Sequence, residues 1–272
     1  MADVYASISS AELDVQERLA AVLERRAENP QQQEMLSSYL ADIEFPEGAE
    51  VLDLGCGTGA VSRVLAGYPG ISRVVGVDPS PVFLATARKL GTGSDKLTFA
   101  EGDCRSLTYG ECSFDTVIFH TTLSHVPGSE TGLSEAYRVL RSGGTLAVFD
   151  GDYTTTTLAT GDHDPLQACA DAAMSAIVHD RWLIPRLPQL VANAGFSMVK
   201  QRSHGFVETM DPDYMLTIVD RGADALCAMG RIGAELAEAL KNEARQRVTE
   251  GRFFGSIVYG SLVAKKPPRI PE

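Results

Sequence analysis

Cysteine is scarce in this 272-residue chain. The five present (Cys56, Cys104, Cys112, Cys169 and Cys227) are odd in number and scattered, with no C-x-x-C pair. Such usage suggests neither a disulfide framework nor a zinc site, and it suits a reducing compartment. No apolar run approaches the ~20 residues needed to span a bilayer. The opening MADVYASISSAELD lacks the basic and apolar regions of a secretory signal. The expectation is a cytoplasmic protein with no membrane partner. Positive charge is also short, at 24 Lys and Arg against 36 Asp and Glu, which gives a net charge of −12. Phosphate-backbone binding draws on clustered cations, so nucleic acid is not an expected partner.

What is present is an ordinary globular composition, 44% apolar and 22% charged, enough for one large α/β core and short for two catalytic domains. Val15, Leu19, Val22 and Leu23 recur at helical spacing before Pro30, and Met35, Leu36, Tyr39 and Leu40 follow, so residues 1–45 read as a helical cap. Short apolar runs then alternate with helical stretches, the pattern of a parallel sheet. Seven strands are expected: 50–54, 73–77, 97–100, 116–119, 145–150, 197–201 and 257–264. Residues 46–153 form the core of this reading, 154–195 a helical substrate insertion, and 196–266 the rest of the sheet. A further helical insertion is expected at 213–249, with Leu226, Met229, Ile232, Leu236 and Leu240 on one face. The tail KKPPRIPE reads as frayed.

Four motifs carry the chemistry. VLDLGCGTG (Val51 to Gly59) runs a strand into three glycines that let a ligand approach the backbone. VVGVDPS (Val74 to Ser80) ends a strand on Asp78, at the distance where such folds place a ribose-binding acid. The alternative is that Asp78 caps a helix opened by Pro79. LTFAEGDCRSL (Leu97 to Leu107) ends a strand at Asp103 and Cys104, and FDTVIFHTTLSHV (Phe114 to Val126) places two histidines after the next one. The loop G-C-G-T-G is not the G-x-G-x-x-G that sets pyrophosphate on a helix N-terminus.

These motifs, in this order over Ala49 to Asp150, resemble the class I, Rossmann-like S-adenosylmethionine (AdoMet)-dependent methyltransferases. The group is similar to the small-molecule enzymes of ubiquinone and menaquinone biosynthesis. The resemblance implies a doubly wound, mostly parallel sheet of order 3-2-1-4-5-7-6. It also implies AdoMet held by Asp53, Gly55, Cys56, Gly57 and Gly59 at the methionine portion, Asp78 with Pro79 at the ribose, and Asp103 with Cys104 at the adenine. His120 and Thr121 would line the methionine end.

The implied activity is methyl transfer to a small-molecule acceptor through oxygen, nitrogen or carbon. A protein that binds AdoMet without transferring the methyl group, or a macromolecule methyltransferase, is the alternative. Transfer needs alignment more than a catalytic signature, and a base would help a hydroxyl or ammonium acceptor. His120, His125 and His163 are the candidates, with Tyr153 and Trp182 as pocket walls. No metal is expected, although Asp150, Asp152, Asp162, His163 and Asp164 include the oxygen ligands that Mg²⁺ takes. A homodimer is compatible with the sequence.

Overall fold

A computed structural model describes residues 3–268 of the chain. Seven strands, β1 (Ala49–Leu54), β2 (Ile71–Asp78), β3 (Leu97–Glu101), β4 (Phe114–His120), β5 (Leu140–Thr157), β6 (Ser197–Glu208) and β7 (Gly255–Lys265), form one sheet of order β3-β2-β1-β4-β5-β7-β6. Neighbours are parallel except that β7 runs antiparallel to β5 and β6. Leu54 pairs with both Val77 and Phe119. Gly55 therefore emerges between Asp78 and His120, and the motif ends converge on one edge of the sheet.

Alternation along the central strands divides the core. Val51, Ile118, Ala147 and Phe149 face one side, while Leu52, Leu54, Val117, Phe119 and Val148 face the other. Helices α2 (Pro30–Leu40), α3 (Ala60–Ala66), α6 (Leu166–Ile177), α8 (Asp213–Ala228) and α9 (Ala234–Thr249) bury side chains on the first side. Helices α5 (Ser129–Val139) and α7 (Leu183–Asn193) cover the second. A smaller cluster joins Ile8, Leu19 and Ala20 of the N-terminal turn and α1 (Leu13–Glu28) to Phe83 of α4 (Pro81–Leu90).

Four sequence expectations change. Strand β5 continues past Asp150 to Thr157, because antiparallel pairing with β7 carries on through Gly151 and Asp152 and resumes at Thr157. Strand β6 likewise reaches Glu208 opposite Gly255. The stretch 213–249 is two helices, broken at Gly230 (φ +67°), so Leu226 and Leu240 are buried while Met229 and Leu236 are exposed. The KKPPRIPE tail is anchored at its start: Lys265 ends β7, and Lys266 is buried and donates to the carbonyls of Tyr137 and Leu140. Its last four residues lie outside the described ones.

One buried ion pair joins the segments after β5 and β6. Arg247 of α9 donates to Asp164 at 2.5 Å, and Asp164 also accepts from the backbone of Thr160 and Leu166. Burial pushes the Asp164 carboxyl up, but Arg247 and these N–H groups outweigh it and hold it down to about 2. The stability it contributes is therefore complete above the ordinary aspartate value near ~4 and is lost as pH falls toward 2. Asp164→Ala should cost about 3 kcal/mol in urea denaturation at pH 7, since it leaves a buried guanidinium with a half-exposed Glu243. The variant should also lose less stability than the parent between pH 4 and 2.

Candidate cofactor and acceptor site

The turn after β1 is built for close approach. Gly55, Gly57 and Gly59 all have positive φ (71°, 54° and 77°), and a Cβ on Gly55 would stand 2.2 Å from the Thr122 side chain. The N–H groups of Gly55 and Cys56 donate to the Val77 carbonyl, and that of Gly57 donates to the Asp78 carboxylate at 2.9 Å. All three are thus consumed by the end of β2, and none is free for a pyrophosphate. Asp53, also at the turn, accepts from Ser62 at 2.6 Å.

Burial pushes the carboxyls of Asp53 and Asp78 up to about 6, against the hydrogen bonds that favour their charge. The second oxygen of Asp78 accepts from the Ser80 backbone. The helix cap is instead Ser80, whose hydroxyl accepts from Phe83 N, and the first helical residue is Pro81 rather than Pro79. Both oxygens of Asp78 keep acceptor capacity for a diol.

At the end of β3, Asp103 sits in a turn in which Arg105 grips both of its oxygens, holding the carboxyl below its usual range. Cys104 is buried, and burial lifts its thiol to about 12, so it remains a neutral thiol. Arg105, which lines the same cavity, carries no motif signal beyond its spacing from Asp103.

After β4 the two histidines diverge. The His120 ring stacks on Phe149 with centroids 4.7 Å apart, and its Nδ1 lies 3.1 Å from the Tyr39 hydroxyl. Burial, with Arg26 adding to it, lowers its pKa to about 3, which makes it a poor proton acceptor at neutral pH. Thr121 follows at φ +52°. His125 ends a short 3₁₀ turn (Leu123–His125), with Nδ1 2.7 Å from Asp3 Oδ2. Asp3 is itself buried and accepts from the backbone N–H groups of His179 and Tyr5. A carboxylate can only accept, so His125 donates from Nδ1, and Nε2 is the ring nitrogen that Asp3 does not occupy. Nothing in the N-terminal stretch singles out Asp3, which lies 122 positions from its partner.

One cavity of about 790 Å³ joins these parts, including Gly55 and Gly57, Asp78, Asp103, His120 and His125. Its far wall is α1. Leu23 packs over Gly57, and Glu24, paired with Arg63, leaves Oε1 buried without a partner. A glycine-rich loop, three acids and an orphan carboxylate oxygen fit a cationic, diol-bearing ligand such as AdoMet, which brings no phosphate.

Among the described residues, nothing beyond Pro127 lines the cavity, so its cover is the N-terminal segment and neither helical insertion. His163 lies on an exposed turn at φ +60°, and Trp182 is exposed beneath the Arg181 guanidinium. Tyr153 is buried behind the cavity, its ring 6.3 Å from that of His125. The acids of the Mg²⁺ alternative also disperse. Asp150 accepts from Ser124 and Gly151, Asp152 from Thr154, and Asp164 from Arg247. Among the described residues no group of three or more His, Cys, Asp or Glu is placed to hold a metal, and no helix is long and apolar enough to cross a membrane.

Comparison with known proteins agrees with this geometry. The family described as "Methyltransferase domain" matches residues 52–148. Sterol 24-C-methyltransferase of Saccharomyces cerevisiae is 35% identical over 116 residues, 42% of this chain and 30% of that protein. The 2-phytyl-1,4-naphtoquinone methyltransferase of Thermosynechococcus vestitus is 33% identical over 116 residues, 42% of this chain and 52% of its own length. The chain thus covers about half or less of these two relatives. The solved structure of Haemonchus contortus phosphoethanolamine N-methyltransferase 2 with S-adenosyl-L-methionine shares the fold, at TM-score 0.54, 19% identity, 86% of this chain and 52% of that one. The fold and the order of the motifs are those of class I AdoMet-dependent methyltransferases, the methyltransferase-domain family matches residues 52–148, and AdoMet is the cofactor that this match supports.

Asp78→Ala should weaken S-adenosylhomocysteine binding about tenfold or more by calorimetry, through loss of a charged acceptor, and an unchanged affinity would remove Asp78 from the site. In the parent protein, affinity should fall about tenfold per pH unit below 6, because the diol favours the ionised carboxylate and protonation competes. A flat profile from pH 7 to 5 contradicts this.

Proposed function

We propose that the protein transfers the AdoMet methyl group to a small-molecule acceptor, with His125, oriented by Asp3, accepting the acceptor's proton. The observation that carries this reading is that a single cavity joins the cofactor motifs to the Asp3-held His125. Bound AdoMet supplies an activated methyl group on a sulfonium. What remains for the chain is to align the acceptor, exclude water and remove a proton.

Alignment falls to the walls of the cavity. Thr121 and Thr122 are held at the sheet edge by bonds to Phe149, His120 and Gly55, while α1 closes the opposite side. His120, neutral and stacked, is a shaped wall. Asp3 orients the His125 ring through Nδ1, which leaves Nε2 for the acceptor's proton in this reading. The relatives named for sterol and quinone substrates support a small acceptor. The acidic net charge supports an enzyme without a nucleic-acid partner, and the few scattered cysteines suit a reducing, cytoplasmic compartment.

AdoMet should be converted to S-adenosylhomocysteine when the protein is given the low-molecular-weight filtrate of a cell extract. Turnover only with the macromolecular fraction, or with neither, overturns the proposal. With an active filtrate, His125→Asn should lower kcat about 100-fold with S-adenosylhomocysteine affinity unchanged. Asp3→Asn should have a smaller effect in the same direction.

A further inference from the structure

His125 is held at more points than its bond to Asp3. The ladder between β4 and β5 ends at the pair His120 and Phe149. The chain after β4 then folds back over β5: the Thr121 N–H donates to the Phe149 carbonyl, and Ser124 comes to rest on Asp150, the next residue of β5. Asp150 is fully buried. Its Oδ2 accepts from the Ser124 N–H at 3.1 Å, and its Oδ1 accepts from the Ser124 hydroxyl and the Gly151 N–H, both at 2.8 Å. A backbone N–H can only donate, and one reaches each oxygen, which favours the ionised carboxylate against the burial that raises its pKa.

The segment between α6 and α7 completes the brace. The His179 N–H donates to Asp3 and the Asp180 N–H to the Ser124 carbonyl, each at 2.8 Å. Two successive peptide groups thus tie the carboxylate that holds the His125 ring to the residue that precedes His125. This segment lines no part of the cavity, yet it reaches the proposed base through its backbone. The titratable groups around His125 are Asp3 and Tyr5 from the N-terminal turn, Asp150 and Tyr153 from β5, and His179 and Asp180 from this segment, His179 being exposed and Asp180 paired with Arg186. Arg105 bonds to the Pro127 carbonyl two residues on. The charge that acts on Asp150 is that of His125. Attraction between two sites is mutual, so a cationic His125 ring, which is largely buried, is favoured by Asp150 in turn.

We infer that Asp150 is a positioning residue for His125: it clamps the turn that carries the ring, and its charge favours the imidazolium formed when His125 takes the acceptor's proton. For the methyl group it gains, the acceptor gives one proton to His125, and Asp150 neither gains nor loses one. The inference rests on the methyl-transfer reading for the source of that proton, but its first test needs no turnover.

Protein labelled with ¹³C and ¹⁵N at histidine and aspartate is titrated by NMR, with His125 identified as the ring signal lost in His125→Asn. Asp150→Asn keeps the shape of the side chain and removes its charge, so the His125 midpoint should fall by about one pH unit. Ser124→Ala removes one bond to the carboxylate and leaves the charge, so the midpoint should stay in place. Melting curves verify that each variant is folded. In the parent, the carboxyl signal of Asp150 should shift at the pH where His125 titrates, and that step should vanish in His125→Asn, a result that does not depend on Asp150→Asn folding. A midpoint unmoved in folded Asp150→Asn, or an Asp150 signal without the shared step, overturns the inference.

With an active filtrate, the acid limb of the kcat/KM profile should move to lower pH in Asp150→Asn, because the base works unprotonated and now loses its proton at lower pH. Its kcat should fall about tenfold, with S-adenosylhomocysteine affinity unchanged. A limb that stays in place while the rate falls would reduce Asp150 to a prop for the turn and overturn the inference. Failure of the methyl-transfer reading would be seen separately, as no S-adenosylhomocysteine formed with any acceptor pool, and the titration would still decide whether Asp150 acts on His125.

Discussion

The hydrogen bond from the Gly57 N–H to the buried Asp78 carboxylate ties the turn after β1 to the end of β2. It forms only because parallel pairing brings Leu54 level with Val77, so that the turn leaves β1 beside the acid. The bond has three consequences. It fixes a backbone path that only glycines follow without strain. It spends the Gly57 N–H, as the Val77 carbonyl spends those of Gly55 and Cys56, so that none attracts a phosphate, and it leaves a carboxylate at the floor of the cavity, where a diol and a cationic ligand are favoured.

Helix α1 is set against that floor and works on both ends of the cavity. Leu23 closes over Gly57, Glu24 pairs with Arg63 of α3, and Arg26 crosses to the far flank. The turn before it supplies Asp3 and Tyr5 to His125. The N-terminal segment is therefore a wall of the site as well as a cap on the sheet. The two helical segments after β5 and β6 are occupied differently: they pack on the sheet faces and are tied to each other by Arg247 and Asp164.

Much of this was legible before any coordinates. The glycine turn, Asp78, Asp103 and His120 each follow a short apolar run, and strand-to-turn signals of that kind are local in sequence. The sheet order came with the resemblance those motifs support. The ends of β5 and β6 were not legible, because Gly151, Asp152 and the threonines that follow carry no apolar alternation, and it is pairing with β7 through Asp152 and again at Thr157 that carries β5 on. Nor were Asp3 and Arg26, whose partners lie 122 and 95 positions away. Trp182 and His163 looked suitable by residue type, but chemistry of type carries no information about which way a surface turn faces.

By itself, then, the sequence carried the resemblance to the AdoMet-dependent methyltransferases, the cofactor motifs and the edge of the sheet at which they end, since each depends on residues adjacent along the chain. The tertiary structure alone decided which histidine is buried among rings and which is held by a carboxylate, which helix covers the cavity, and that among the described residues no carboxylate pairs with the Arg26 guanidinium there. The physical reason is that burial and pairing of charge are properties of the packed assembly. His120 and His125 stand five residues apart, yet one is driven neutral among aromatic rings while the other is held by a carboxylate from the start of the chain.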